Sequence, residues 1–221
     1  MTEINQNFEA TDKDSSKASF GEKLARFVSV FLHPIFIPII FIFILLLSDY
    51  YMNNLLQDNA MKVIALSVAF FTLLIPILMF FIAKALNVIT SFEMETLRER
   101  RIGIAVIIVS AYFCWRMLKN FYLQDYYTDF LIVLIIACII CFIVNFFFKI
   151  SIHVFSWSTA VVLLFVYSAL WKSIAMPLIP AFVLITGLVA WARLKIKAHS
   201  YTEIYIGFAL GLLPPFVLFF I

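Results

Sequence analysis

The amino-acid sequence predicts an all-α protein, a polytopic transmembrane helix bundle of about six to seven spanning helices. Hydrophobic residues make up 65% of the 221 residues and charged residues only 13%, and the mean hydropathy is +1.06. A soluble domain is about 45–50% apolar and about 25% charged. With so few charges this chain could not cover a core with a surface that faces water, and most of its surface must therefore face lipid.

Seven apolar runs predict the individual helices, because each is near the ~20 residues needed to cross ~30 Å of hydrocarbon. They cover residues 27–48, 61–86, 102–118, 130–148, 150–171, 175–192 and 205–221. Only Lys149 separates the fourth run from the fifth. Residues 1–26 are polar and have little to bury, so we expect a disordered N-terminal tail, followed by a transmembrane helical domain over residues 27–221.

The composition also limits the class of partner. The net charge of +3 is small, and no basic run interleaves with aromatic residues, so a nucleic-acid partner is not predicted. The three cysteines lie inside apolar runs without metal-ligand spacing, and no metal or other cofactor is predicted. In the last run, Gly207 and Gly211 form a Gly-x-x-x-Gly step that predicts close helix packing.

The basic residues indicate which face of the membrane each loop occupies. Seven crossings place twelve of the sixteen Lys and Arg residues on the face that holds the N-terminal tail: Lys13, Lys17, Lys23, Arg26, Lys84, Arg98, Arg100, Arg101, Lys149, Arg193, Lys195 and Lys197. The opposite face receives Lys62, Arg116, Lys119 and Lys172. Because cytoplasmic loops are enriched in Lys and Arg, this count predicts a multi-pass protein of a plasma or inner membrane with the richer face in the cytoplasm.

Three loops on that same face contain most of the polar residues that could take part in binding or catalysis. Even numbers of crossings between the loops place all of them on one side of the membrane. Arginine forks bind phosphate oxygens, and an imidazole can attack phosphorus or donate a proton. The pattern therefore predicts a phosphate site from Arg98, Arg100, Arg101, Lys149, Ser151, His153, Arg193, His199 and Glu203.

The spacing within these loops resembles the type-2 phosphatidic acid phosphatase superfamily. Residues 192–203 read A-R-L-K-I-K-A-H-S-Y-T-E, which is similar to that family's signature Ser-Arg-x5-His-x3-Asp. Residues 149–153 read K-I-S-I-H and resemble Pro-Ser-Gly-His, while residues 97–102, L-R-E-R-R-I, look like a reduced form of Lys-x6-Arg-Pro. The order of the motifs and the two helices between successive motifs also match, over roughly residues 60–215.

The resemblance implies a metal-independent phosphatase that acts through a phosphohistidine. On this basis His199 is the nucleophile, Glu203 orients it in place of the family's Asp, and His153 is the general acid. The phosphate-binding set that it implies is Arg193, Ser151, Arg101 or Arg100, and Lys149. Because the loops lie at the ends of spanning helices, the expected substrate is a lipid phosphate in the bilayer: phosphatidic acid, phosphatidylglycerol phosphate or a polyprenyl diphosphate. The oligomeric state stays open.

Departures from the family pattern keep a second hypothesis open. The first motif lacks its Lys, Ile150 and Ile152 stand where the family has Pro and Gly, and Ala192 replaces Ser. A relative with these changes could bind or move an anionic lipid without hydrolysing it. A transporter or channel for a small ion is a third possibility, but the predicted helix interiors lack the chain of acidic residues that marks a proton or cation path.

Structural explanations compete with some of these roles. Residues Ser200 to Glu203 read as a capping box that opens the last helix, and this role is compatible with orienting His199. His33 precedes Pro34 far from the three motifs, and we interpret it as structural. Arg98, Arg100 and Arg101 can in part be a cytoplasmic charge cluster.

Overall fold

The computed structural model of the protein describes residues 19–48, 58–91, 94, 96–121, 125–171 and 175–221, without the side chains of residues 48 and 58. Every regular element within these ranges is helical. The α-helices are α1 (Phe20–Phe31), α2 (Ile37–Ser48), α3 (Asp58–Ala69), α4 (Ile75–Ala85), α5 (Leu97–Asn120), α6 (Asp129–Val144), α7 (Ile152–Trp171), α8 (Ile179–Lys195) and α9 (Tyr201–Gly211).

Six stretches of the described chain are long and apolar enough to cross a membrane. They are Phe20–Leu47, Asn59–Ala85, Leu97–Asn120, Ile152–Trp171, Met176–Lys195 and Tyr201–Phe219. The apolar helix α6, with 16 residues, is shorter. The predicted fold class, an all-α bundle of about six to seven membrane helices, is confirmed, and the chain is a multi-pass membrane protein.

Helix α1 begins earlier than the sequence analysis predicted. Ser19 and Glu22 form a capping box, in which the Ser19 hydroxyl accepts from the Glu22 N–H (3.3 Å) and the Glu22 carboxylate accepts from the Ser19 N–H (3.1 Å). Such reciprocal bonds satisfy amides that a helix start leaves unpaired. Residues 20–26 are therefore helical and do not belong to a disordered tail, while residues 1–18 of the predicted tail lie outside the described ranges.

Proline interrupts the first span. The fixed φ of Pro34 suits the first position of a helix but prevents α1 from continuing through it, so α1 ends and a short 3-10 helix, Pro34–Phe36, leads into α2. The side of α1 that carries Ala25 and Val28 packs against Ala192 near the end of α8. This packing brings the junction between α1 and α2 against α7, where the Trp157 indole N–H donates to the Leu32 carbonyl (2.9 Å).

Helix α5 also begins before its predicted start at residue 102. Thr96 and Glu99 form a second capping box (3.2 and 3.4 Å), and the Glu99 carboxylate also accepts from the N–H and hydroxyl of Thr90 (2.6 and 2.8 Å). The first turn of α5 therefore contains Arg98, Arg100 and Arg101. Glu99 ties the segment before the helix to this turn, which fixes where the arginines begin.

Helix α7 lies at the centre of the bundle and packs closely on α9. Most of its buried residues belong to the main hydrophobic core. A Cβ at Gly211 would overlap the Ser158 hydroxyl and the Phe155 carbonyl, and one at Gly207 would lie 3.0 Å from the Ser151 carbonyl oxygen. The predicted close packing at Gly207 and Gly211 is confirmed, and it holds the start of α9 beside the start of α7.

Candidate functional site

A cavity of about 370 Å³ lies between the helices and is lined mainly by apolar side chains. Among the described residues, five basic side chains also line it: His33, Arg100, His153, Arg193 and His199. They come from the α1–α2 junction, the first turns of α5 and α7, the last turn of α8 and the loop before α9. The fold thus brings residues of all three predicted loops to one cavity, together with a histidine from a fourth segment.

His199 and Glu203 form the closest polar contact of this region. Nδ1 of His199 lies 2.5 Å from Oε2 of Glu203, and the imidazole side chain is almost fully buried. The backbone N–H of Glu203 is bound separately, by the Ser200 hydroxyl (3.3 Å). Glu203 therefore takes part in half of the predicted capping box through its backbone, while its carboxylate orients His199. With Nδ1 engaged, Nε2 is the ring nitrogen left for a ligand.

Burial keeps the His199 imidazole neutral. His199 lies between the spans that end at Lys195 and begin at Tyr201. Burial lowers its pKa from 6.5 to about 4; the hydrogen bond to Glu203 opposes this shift, and the nearby Arg100 and Arg193 add to it. At neutral pH the ring is consequently the free base, which is the form that has a lone pair on nitrogen.

Arg100 hydrogen-bonds to two loops, one before α5 and one before α7. Its guanidinium donates from Nε to the Met94 carbonyl and from Nη1 to the Ile150 carbonyl, each at 3.0 Å. Met94 has a left-handed backbone (φ 48°), which costs a non-glycine residue free energy, and its sulfur lies where a Cβ at Gly103 would stand. Arg100 thus holds the strained Met94 against α5 and keeps the remaining guanidinium N–H groups for the cavity.

Ser29 of α1 links two of the basic residues. Nη1 of Arg193 donates to the Ser29 hydroxyl (2.7 Å), and the His153 ring hydrogen-bonds the Ser29 backbone. Nε2 of His153 is buried and has no hydrogen-bond partner among the described residues. Since a buried polar nitrogen without a partner costs free energy, this nitrogen marks a place where a ligand would be favoured.

His33 lies beside His153, and this position of His33 was not predicted from the sequence. The two ring centroids lie 4.9 Å apart at an interplanar angle of 85°. Nδ1 of His33 accepts the Ile35 backbone N–H at 3.3 Å, so His33 caps the 3-10 helix, as a structural residue would. The same side chain also lines the cavity, and it therefore belongs to the site as well.

The remaining predicted site residues do not line the cavity. Arg101 turns away from it, with its guanidinium carbon 4.2 Å from the centroid of the Phe146 ring. Ser151 is buried at the start of α7, where its backbone N–H donates to the Glu203 carbonyl (3.2 Å) and its hydroxyl has no partner in the described ranges. Lys149 is partly exposed and is likewise absent from the lining.

The arrangement combines a neutral imidazole held by a carboxylate, two arginines and two further imidazoles on the wall of an apolar cavity. Such a set can bind an anion whose remaining part is apolar. Comparison with protein-family models, with curated proteins and with solved structures gives no match for this chain. The functional assignment therefore depends on the residues and geometry of the site.

Proposed function

We propose that this protein is an integral membrane phosphatase for lipid phosphates that acts through a phosphohistidine on His199. The observation that carries the proposal is the contact of Glu203 with His199, whose side chain lines an apolar cavity together with Arg100 and Arg193. A histidine can serve as a nucleophile when one ring nitrogen is held by an acidic partner and the other faces the substrate. The motif resemblance noted above implies the same role for His199.

The form of the cavity favours a lipid over a small polar substrate. Its walls are mostly apolar, and the five basic side chains are all near helix ends. An acyl or prenyl chain would occupy the apolar part, while its phosphate group would meet Arg100 and Arg193. Arginine forks match the oxygens of a phosphate group, and a site at helix ends lies near the depth of lipid headgroups.

The proposed reaction has two steps. In the first, Nε2 of His199 attacks phosphorus, the bond from phosphorus to the lipid oxygen breaks, and that oxygen takes a proton from His153, whose protonated form is favoured by the negative charge of the bound phosphate. Glu203 stabilises the positive charge that forms on the His199 ring. In the second step, water attacks the phosphohistidine and returns its proton to His153, so that free phosphate leaves and both residues are restored.

Phosphate release by the purified protein in detergent tests this function. The substrates are phosphatidic acid, phosphatidylglycerol phosphate and a polyprenyl diphosphate. For each substrate, phosphate release by the wild type is compared with release by His199→Ala. We expect release by the wild type, loss in His199→Ala, and little change in Lys195→Ala, whose exposed side chain does not line the cavity. Unchanged turnover in His199→Ala would refute the phosphohistidine mechanism.

A second function is binding or movement of an anionic lipid without hydrolysis. It is favoured by the hydrogen bonds that the arginines already make within the protein. Arg100 already donates to two backbone carbonyls and Arg193 to Ser29, which leaves fewer N–H groups to follow a moving phosphoryl group. This alternative predicts lipid-phosphate binding with no phosphate release. It also predicts no labelled histidine when the reaction with ³²P-labelled substrate is quenched in alkali, where phosphohistidine survives.

We further propose that the site faces the cytoplasm of a plasma or inner membrane. Four of the twelve basic residues on its face are candidate site residues: Arg100, Arg101, Lys149 and Arg193. Without them the count is still eight against four, which favours the cytoplasm. A tag inserted at Asp14 should be protected from an impermeant reagent in intact cells, and labelling there would reverse the assignment.

A further inference from the structure

His33 is held in one orientation by the helix that it caps. Pro34 occupies the first position of the 3-10 helix, and Nδ1 of His33 accepts the N–H of Ile35. A neutral imidazole that accepts a hydrogen bond at one nitrogen carries its proton on the other. Neutral His33 is therefore a hydrogen-bond donor through Nε2.

A further hydrogen-bond donor in the cavity could bind an oxygen of a phosphate group. Nε and Nη1 of Arg100 are engaged with carbonyls, Nη1 of Arg193 is engaged with Ser29, and Nδ1 of His199 is engaged with Glu203. The three oxygens of a bound phosphate monoester accept several hydrogen bonds. Since part of each guanidinium and Nδ1 of His199 are already engaged, a further neutral donor on the cavity wall would add to the hydrogen bonds that such a group can accept.

We propose that His33 is a further phosphate ligand of the site and donates its Nε2 proton to an oxygen of the bound group. The ring stands edge-on to His153 with centroids 4.9 Å apart and lines the same cavity as Arg100, Arg193 and His199. This inference rests on the phosphate site of the proposed function but not on hydrolysis, since a non-hydrolysing lipid binder would use His33 in the same way.

The packing of α1 explains how a residue so distant in sequence reaches the site. Ala25 and Val28 pack on Ala192, and Ser29, the residue after Val28, accepts a hydrogen bond from Arg193. His33 follows in the junction just after this helix. Helix α1 thus supplies a positioning residue, Ser29, and the junction after it supplies a ligand, His33, to a site whose other members come from α5, α7, α8 and the α8–α9 loop.

Two substitutions separate the ligand role from the capping role. In His33→Asn, the side-chain oxygen takes the place of Nδ1 and still accepts from Ile35, but no donor reaches the position of Nε2. In His33→Gln, the longer amide places an N–H donor there. The variants are compared with the wild type by calorimetric titration with inorganic phosphate. A parallel titration uses dioctanoyl phosphatidic acid, with His199→Ala in every protein to stop turnover.

We expect His33→Asn to weaken binding of both ligands about tenfold, as loss of a hydrogen bond to a charged group does, and His33→Gln to bind within about threefold of the wild type. Tighter binding of the lipid than of inorganic phosphate identifies a lipid headgroup as the ligand, and equal binding identifies free phosphate. Wild-type affinity in His33→Asn refutes the inference alone. Equal weakening in both variants assigns His33 to packing and also refutes it, and a wild type that binds neither ligand refutes the proposed function with it.

Discussion

Nδ1 of His199 lies 2.5 Å from Oε2 of Glu203, and this contact joins the loop after α8 to the first turn of α9. The carboxylate accepts the Nδ1 proton of the neutral ring, so that the lone pair is on Nε2. A hydrogen bond from Ser200 to the Glu203 N–H fixes the backbone of the same turn. The orientation of the proposed nucleophile thus depends on the Glu203 carboxylate in the first turn of α9.

Replacement of Glu203 by Gln should lower kcat for phosphate release about 10²-fold or more, because the amide can donate to Nδ1 and so favour the wrong tautomer. Steady-state kinetics on the preferred lipid phosphate measure this effect. Ser200→Ala is the matched control, since it removes the cap from the same turn and should cost about 1 kcal/mol of stability with kcat nearly unchanged. Equal kcat values for Glu203→Gln and the wild type would exclude the orienting role.

Stability should fall as the pH falls from about 6.5 toward 4. The pKa of His199 in the folded protein, about 4, lies below its ordinary value of 6.5, so between these values the unfolded chain binds more protons and unfolding is favoured as pH decreases. The stability contributed by the neutral ring is fully present above pH 6.5. Thermal unfolding midpoints in detergent over this range should decline more steeply for the wild type than for His199→Gln, and parallel curves would contradict the assignment.

Arg100 and Arg101 should differ sharply when each is changed to Gln. Arg100→Gln leaves the carbonyls of Met94 and Ile150 without their partner, at about 1–3 kcal/mol for each buried group, and removes a cavity cation. We expect a lower unfolding temperature and at least tenfold weaker phosphate binding. Arg101→Gln removes only a contact with Phe146 worth about 0.5–1 kcal/mol, and its phosphate affinity should stay within threefold. The reverse order would show that Arg101 is the ligand.

Gly211→Ala should destabilise the bundle, because the new methyl group would overlap Ser158 and Phe155 and force α9 away from α7. It should also strain the hydrogen bond from the Thr159 hydroxyl to the Gly211 carbonyl (2.8 Å). Gly187→Ala provides the control, since a Cβ there meets no atom within 4 Å. Thermal unfolding in detergent should show a clear decrease for Gly211→Ala alone, and equal midpoints would argue against tight packing.

The sequence is sufficient to predict the helices and the shared face of the three polar loops, because both follow from apolar run length and the parity of crossings. The starts of two helices were predictable as well, because Ser19-x-x-Glu22 and Thr96-x-x-Glu99 are capping-box patterns. The first turns of both helices are charged, so the boundaries of the apolar runs fell after the true helix starts. His33 and Ser29 were not predictable. They reach the site only through packing of α1 on α8, a contact between residues far apart in the chain, for which local patterns hold no signal.

The shortness of α6 has a consequence for the surrounding lipid. At 16 residues it is about 24 Å long, several ångströms less than a hydrocarbon layer of about 30 Å. The chain leaves α6 at Asn145, on the face where Arg100 and His199 lie. A membrane can adapt to such a hydrophobic mismatch by thinning locally, and under the proposed function this thinning would bring a lipid phosphate closer to the depth of His199.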